Sequence, residues 1–312
     1  MSQKIAMVFP GQGSQSVEMG KSFYESSDIA KEMIEKAGDR IGVDFKALMF
    51  KEDERLNQTA YTQPAILLVS MIAYRLFQNA HSVQPAVLLG HSLGEISAVC
   101  AAGAIDYLDA VELVHRRGEL MQGACEGVEA GMMVIVGLDD ESVETICRDA
   151  RNKENKQVWP ANYNQDGQLV VAGLKPDLQS LESTFKAAGA KRALLLNMSV
   201  ASHCPLLSRA QQPLREILEK VLHDPFSAPV VSNVTAKPYQ TKQQAVELLS
   251  EQLVYPVRYK QSVAAVAPEV DLAIEFGNGK VLAGLNRRIA RQMKTLNVFD
   301  MDSLQATLDA LA

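Results

Sequence analysis

Hydrophobic residues along this chain fall in short unbroken runs separated by longer amphipathic stretches. Lys4 to Phe9 is one such run, closed by Pro10 and Gly11, and it reads as a buried strand feeding a loop. Helical periodicity follows near residues 26–41 and 61–80, and Ala86 to Leu89 supplies a second buried strand that Gly90 ends. Leu93 to Ala102 is small and apolar with a single glutamate, which suits a helix packed tightly on a sheet and stopped by Gly103. The local order is strand, sharp turn, helix. Residues 109–124 continue it with a further helix.

Near residue 130 the texture changes. Residues 132–138 read as strand, 139–150 as helix, 157–163 and 168–173 as strands, 175–189 as helix and 192–198 as strand. This β-α-β-β-α-β order is that of a split βαβ, ferredoxin-like unit, and it predicts a small inserted subdomain over residues 128–198. The remainder, 1–127 and 199–312, returns to helices (206–222, 241–253, 280–291) alternating with short apolar strands (229–234, 271–276, 295–299), as expected of an α/β core around a parallel sheet.

Composition narrows the function. With 312 residues, 47% of them hydrophobic, the chain can bury a large core and a satellite, and disorder is not expected. A net charge of −6 argues against nucleic acid as a partner, because phosphate-tracking surfaces carry a basic excess. The four cysteines form no CxxC pair and the five histidines show no ligand spacing, so neither a metal site nor a disulfide framework is suggested, and reduced cytoplasmic thiols are expected. The N-terminal run is too short for a signal peptide, and no stretch approaches a membrane span.

Gly90-His91-Ser92-Leu93-Gly94 fits G-x-S-x-G, and a strand before it with a helix after it is the context of a nucleophile elbow. There a serine oxygen projects at a helix N-terminus, where the free N–H of Leu93 can stabilise an oxyanion. The plain alternative is a tight turn with a helix-capping serine. Of five candidate bases, His203 lies in a junction just past the inserted unit. His81 and His223 sit among loop-like polar residues, His91 is in the elbow itself, and His115 shares a helix with Arg116 and Arg117. On that helix Val111, Val114, Gly118 and Met121 form an apolar stripe that includes Arg117, whereas Arg116 falls toward the polar side. An inward arginine requires an anion, either a structural carboxylate or a ligand carboxylate.

The segments FPGQGSQ (9–15), TQPAILL (62–68), GHSLGEISA (90–98), RRG (116–118), the Asn162 and Asn164 strand, SVASHC (199–204) and GNGKVL (277–282) occur in one order along the chain. By them the sequence resembles, nearly end to end, the malonyl-CoA:acyl carrier protein transacylases of fatty-acid synthesis and the similar acyltransferase domains of polyketide synthases. The resemblance implies an α/β hydrolase-like core, with Ser92 as nucleophile and His203 as its base and acid. It implies oxyanion donors at the backbone of Gln12 and Leu93, a malonyl-binding role for Arg117, and a backbone carbonyl at Gln252 that orients the histidine. Asn162 and Ser202 are expected in the pocket. The implied substrate is malonyl-CoA, with no bound cofactor. The implied partner is an acidic acyl carrier protein, met by local basic groups such as Lys191 and Arg192, or Lys280, Arg287 and Arg288.

Two departures bear on this expectation. The family usually reads Gly-Pro-Gly where this chain has Gly277-Asn278-Gly279, a change expected to loosen a turn near the site. Val200 to His203 partly resembles the signature of methylmalonyl-selective acyltransferases, whereas Leu93 favours malonyl. The rival readings are a trans-acting polyketide acyltransferase, a carrier-directed acyl hydrolase of the same fold, and a catalytically silent docking protein.

Overall fold

A strand without polar alternation must be covered on both faces, and the run IAMVF meets that condition, since all five residues are buried. The computed structural model of the protein describes residues 3–198 and 200–312. In chain order these form β1 (Ile5–Phe9), α1 (Lys21–Ser26), α2 (Asp28–Ile41), α3 (Phe45–Phe50), α4 (Thr59–Ala80), β2 (Val87–Gly90), α5 (Leu93–Ala101) and α6 (Tyr107–Ala124). There follow β3 (Ala130–Val136), α7 (Asp140–Glu154), β4 (Val158–Gln165), β5 (Gln168–Leu174), α8 (Lys175–Ala187) and β6 (Arg192–Leu195). The chain closes with α9 (Ser208–Val221), β7 (Val230–Val231), β8 (Pro238–Tyr239), α10 (Lys242–Glu251), α11 (Tyr259–Val266), β9 (Leu272–Phe276), α12 (Val281–Ile289), β10 (Lys294–Val298) and α13 (Met301–Leu311).

The larger sheet has the order β10-β9-β1-β2-β7-β8. Every pairing in it is parallel except the last, where β8 returns antiparallel to β7. The expected parallel sheet therefore carries one antiparallel edge, because a tight turn closed by Ser232 N–H to the Lys237 carbonyl leaves no room for a crossover. In such sheets ligands meet the carboxyl ends of the strands. Here those ends lead into the Gln12 loop after β1, Ser92 after β2, Asn233 after β7 and the Gly277–Gly279 turn after β9.

The smaller sheet is antiparallel with the order β4-β5-β3-β6, the ferredoxin-like arrangement, and α7 and α8 pack against it over a separate apolar cluster. It is linked to the larger unit at the segment leading into α11, where Tyr163 N–H and Val257 N–H cross-bond the Val257 and Ala161 carbonyls, and at Lys260 in the first turn of α11, which pairs with Asp140 and Asp166. The register of β4 shifts between Pro160 and Asn162, where Asn162 bridges to Val257 instead of continuing only with β5.

Several elements are longer, shorter or additional relative to the sequence pattern. Asp106 caps α6, its carboxylate accepting from Leu108 N–H, so this helix begins two residues before the apolar stripe suggests. The expected strand over 229–234 contracts to Val230–Val231, because the next residues turn away to serve the site. The short helices α1 and α3, the hairpin strand β8, and helices α11 and α13 are additional to the elements read from the sequence. Ser199, the first residue of the predicted second core segment and of the SVASHC motif, lies outside the described residues.

Candidate active site

The turn between β2 and α5 is built on close backbone approach. A Cβ on Gly90 would overlap the backbone of Gly94, and one on Gly94 would overlap the Phe9 carbonyl, so both positions need glycine. Ser92 between them adopts φ 53°, ψ −106°, a conformation that costs a non-glycine residue about 1–3 kcal/mol. It lifts the Ser92 hydroxyl out of the turn at the start of α5.

His203 also has a positive φ, 60°, and its Nε2 lies 2.8 Å from Ser92 Oγ. Its other ring nitrogen, Nδ1, lies 2.6 Å from the Gln252 carbonyl oxygen. A carbonyl can only accept, so Nδ1 carries the proton and Nε2 is left to accept from the serine hydroxyl. Burial, and then the positive charge of Arg117, push the His203 imidazole down to about 3. It is therefore neutral at neutral pH, with the Nε2 lone pair free to accept from the Ser92 hydroxyl. Among the described residues no carboxylate completes this pair; the third member is a peptide carbonyl.

Arg117 is 1% exposed on the inner face of α6, while the Arg116 side chain is 58% exposed and pairs with Glu119. The helix phase read from the apolar stripe thus separates the two arginines as expected. Of the five guanidinium N–H groups, one from Nη1 reaches Gln63 Oε1 at 2.8 Å, one from Nη2 reaches Gln252 Oε1 at 2.9 Å, and a longer 3.4 Å contact from Nη2 meets Ser92 Oγ. Nε is buried and has no partner among the described residues. No carboxylate pairs directly with Arg117 among the described residues, so the structural-anion alternative is not realised as an ion pair. Burial pushes the guanidinium down to about 10, which still leaves it charged at neutral pH, and Glu95 opposes that fall.

The TQPAILL segment explains how α6 comes so close. Pro64, inside α4, has no N–H to give the Ala60 carbonyl. His115 of α6 takes its place, with Nδ1 2.7 Å from that oxygen, and Gln122 Oε1 receives the Ala60 N–H. Gly118 meets α4 at the same point, where a Cβ would be 2.5 Å from Ala60 Cα. The helices are thereby locked with Gln63 beside Arg117. Gln63 was not singled out by the sequence; its only signal was its place in that motif.

Around the dyad lies a cavity of about 360 Å³ lined by Gln12, Gln63, His91, Leu93, Asn162, Asn164, Ser202 and His203, with apolar walls from Met132, Val134 and Val170 of the small sheet. Asn162 and Ser202 are both among the lining residues. His91 is held aside, its Nε2 2.8 Å from Asn164 Oδ1. The backbone N–H groups of Gln12 and Leu93 enter none of the hydrogen bonds among the described residues, which leaves both free to meet an oxyanion.

The Gly277–Gly279 turn is tied rather than loosened. Asn278 Nδ2 donates to the Ser14 carbonyl at 2.6 Å and to Ser16 Oγ at 2.9 Å, and the Ser14 hydroxyl in turn closes on the Gly11 carbonyl at 2.8 Å. The asparagine amide thus braces the loop that carries Gln12, contrary to the expectation from its replacement of proline. Lys191 and Arg192 are exposed at the start of β6, an edge strand of the small sheet, and Arg287 and Arg288 lie in the last turn of α12.

A strained serine, a neutral histidine and unused N–H donors can together carry acyl transfer through a serine ester. The relatives agree with that chemistry. The acyl transferase domain model matches residues 6–297. The malonyl CoA-acyl carrier protein transacylase of Escherichia coli K12 is 40% identical over 309 residues, 98% of this chain and 99% of that protein. The crystal structure of malonyl-CoA:acyl carrier protein transacylase from Helicobacter pylori superposes with a TM-score of 0.96 at 47% identity, covering 99% of both chains. A malonyl-transacylase solved in complex with its type II polyketide synthase acyl carrier protein superposes with a TM-score of 0.94 at 38% identity, over 98% of this chain and 99% of that one. With the geometry and the match both extending across nearly the whole chain, this protein belongs to the acyl transferase domain family.

Proposed function

We propose that this chain moves a malonyl group from malonyl-CoA to the phosphopantetheine thiol of an acyl carrier protein, through an ester on Ser92. The observation that carries this reading is Arg117, a buried guanidinium with unmatched N–H groups, 3.4 Å from the Ser92 hydroxyl. An acyl group on that oxygen would place a terminal carboxylate within reach of the guanidinium. Malonyl has such a carboxylate and acetyl has none.

The geometry supports a two-step transfer. His203 Nε2 takes the Ser92 proton as Oγ attacks the thioester carbonyl, and the oxyanion forms against the N–H groups of Gln12 and Leu93. Collapse breaks the carbon–sulfur bond, the proton passes from His203 to the departing CoA thiolate, and malonyl-Ser92 remains. His203 then deprotonates the carrier thiol, which attacks the ester and regenerates Ser92. One base serves both half-reactions, so the kinetics are ping-pong.

The carrier is acidic and docks transiently, with Lys191 and Arg192 as the basic groups that receive it, and the enzyme works in the cytoplasm of its cell without a bound cofactor. Residues 128–198 act as a subdomain that walls the cavity, and 1–127 with 199–312 as the catalytic core. The similarity to a transacylase solved with a polyketide synthase carrier keeps a polyketide carrier as the second reading.

Intact-mass measurement after brief exposure to malonyl-CoA tests the reading. The wild-type chain should gain one malonyl mass, Ser92→Ala none, and His203→Ala should acquire it at least ~10²-fold more slowly. Labelling that persists in Ser92→Ala would refute it.

A further inference from the structure

One residue far away in sequence closes on both sides of the nucleophile turn. Asn233 is fully buried just beyond β7, the strand that lies beside β2. Its Nδ2 donates to the Gly90 carbonyl at 2.7 Å, and its Oδ1 accepts the Ser92 backbone N–H at 2.7 Å. Its own backbone N–H donates to Glu95 Oε2 at 2.9 Å, so a carboxylate on α5 fixes Asn233 in turn. Glu95 is itself held from the other side by Tyr239 Oη and Gln252 Nε2. The last residue of the strand, the nucleophile and the first turn of the helix are thus bound to a single asparagine.

We infer that Asn233 is a positioning residue that holds Ser92 in its strained conformation and so keeps Oγ aligned with His203. This rests on the reading of Ser92 as the nucleophile. The argument is one of chemistry at two points. The Gly90 carbonyl needs a donor and the Ser92 N–H needs an acceptor, two residues apart, where the chain leaves strand geometry and has not yet entered the helix. A side-chain amide presents both on one rigid plane. Aspartate, when ionised, offers only acceptors, and a hydroxyl cannot span both points. Without the amide, a positive-φ serine has less to hold it against relaxation to ordinary backbone angles. A displacement of Oγ by about 1 Å is enough to cost ~10²-fold in rate.

The test uses phenylmethylsulfonyl fluoride, a probe of Ser92 that needs neither CoA nor carrier: Oγ attacks sulfur, fluoride leaves, and His203 takes the hydroxyl proton. Asn233→Ala and Asn233→Asp are compared with wild type at pH 8.5, with melting temperatures measured alongside. Asn233→Asp keeps the side-chain volume and decides the matter if the alanine variant does not fold. Gln78→Ala is the control, since the Gln78 amide likewise spans a carbonyl and an N–H, those of Val83, but has no bond to the turn or to the groups that hold it. The expected result is that both Asn233 variants lose ~10²-fold in the rate of Ser92 sulfonylation and in kcat for transfer, with KM for malonyl-CoA little changed. Gln78→Ala should melt earlier yet react at the wild-type rate. Folded Asn233 variants that react within threefold of wild type would overturn the inference, as would an equal loss of reactivity in Gln78→Ala. A wild-type Ser92 that resists the probe would instead count against its role as nucleophile.

Discussion

Arg117 donates to the side-chain oxygen of Gln252 at 2.9 Å, and the backbone carbonyl of the same Gln252 receives the Nδ1 proton of His203 at 2.6 Å. One residue therefore orients both the guanidinium and the imidazole. The Gln252 amide has its direction set by its neighbours: Nε2 faces the Glu95 carboxylate at 2.7 Å and the Ser92 carbonyl at 3.1 Å, which turns Oε1 toward the guanidinium. Burial pushes the Glu95 carboxyl up to about 7, against the pull of its hydrogen-bond donors and of Arg117.

The two ends of Gln252 can be separated by mutation. Gln252→Leu keeps the carbonyl that holds His203 and removes the oxygen that holds Arg117. A hydrogen bond to a charged group contributes about 1.5–3 kcal/mol, so the preference for malonyl-CoA over acetyl-CoA, as a ratio of kcat/KM, should fall by at least ~10-fold. An unchanged ratio in a folded variant would show that the side chain does not hold the guanidinium.

Arg117 itself should decide substrate choice. With acetyl-CoA the guanidinium stays buried and unmatched, a penalty of roughly 3–5 kcal/mol by analogy with broken buried pairs, reduced by any water in the cavity. Arg117→Ala is expected to lose malonyl transfer and gain relative acetyl transfer. Arg117→Lys should rescue poorly, because an ammonium cannot make two parallel hydrogen bonds. Arg116→Ala, on the exposed face, serves as the control; a shift of the ratio there and not in Arg117→Ala would move the carboxylate site elsewhere.

The buried histidine makes a prediction about pH. A free imidazole becomes protonated below about 6.5, whereas His203 is pushed down to about 3 by burial and by Arg117. Its base form should persist in the free enzyme, so kcat/KM for Ser92 acylation should show no acid limb between pH 5 and 7. Removing the positive neighbour in Arg117→Ala should raise the histidine and move that limb to higher pH. For stability the sign is opposite to that of a salt-bridged histidine. The unfolded chain binds the proton first, so this contribution is present above about pH 6.5 and is lost as pH falls toward 3. Stopped-flow acylation and denaturant titrations across pH 4–8 measure both; because Glu95 beside the site is pushed up to about 7, the comparison includes Glu95→Gln, and an acid limb near 6.5 that persists in that variant would refute the assignment.

Carrier docking is separable from chemistry. Lys191 and Arg192 stand exposed on an edge strand of the small sheet. Reversal of both charges should raise KM for the carrier protein several-fold at low salt, leave KM for malonyl-CoA unchanged, and lose its effect as salt screens the surface. Carrier kinetics that do not change at low salt would exclude this edge as the docking surface.

The sequence by itself determined what depends on near neighbours along the chain. Unbroken apolar runs marked β1 and β2 because a strand buried on both faces has few polar positions, and β9 followed from a run broken only by the buried Glu275. Gly90 and Gly94 marked the elbow because only glycine tolerates that backbone approach. The phase of Arg117 followed from helical geometry, since residues three and four apart share a face wherever the helix is placed. Tertiary structure alone decided which amides serve those groups. Gln63 reaches Arg117 across 54 positions and Asn233 reaches Ser92 across 141, and nothing in local periodicity ranks these residues above any other buried amide. Their roles arise because the sheet order sets β2 beside β7 and because Pro64 and Gly118 let α4 and α6 approach closely. The same reason reversed the expectation for Asn278. Judged along the chain it was a lost proline, but the parallel pairing of β1 with β9 brings its turn onto the Gln12 loop, where an amide can donate and a proline ring cannot.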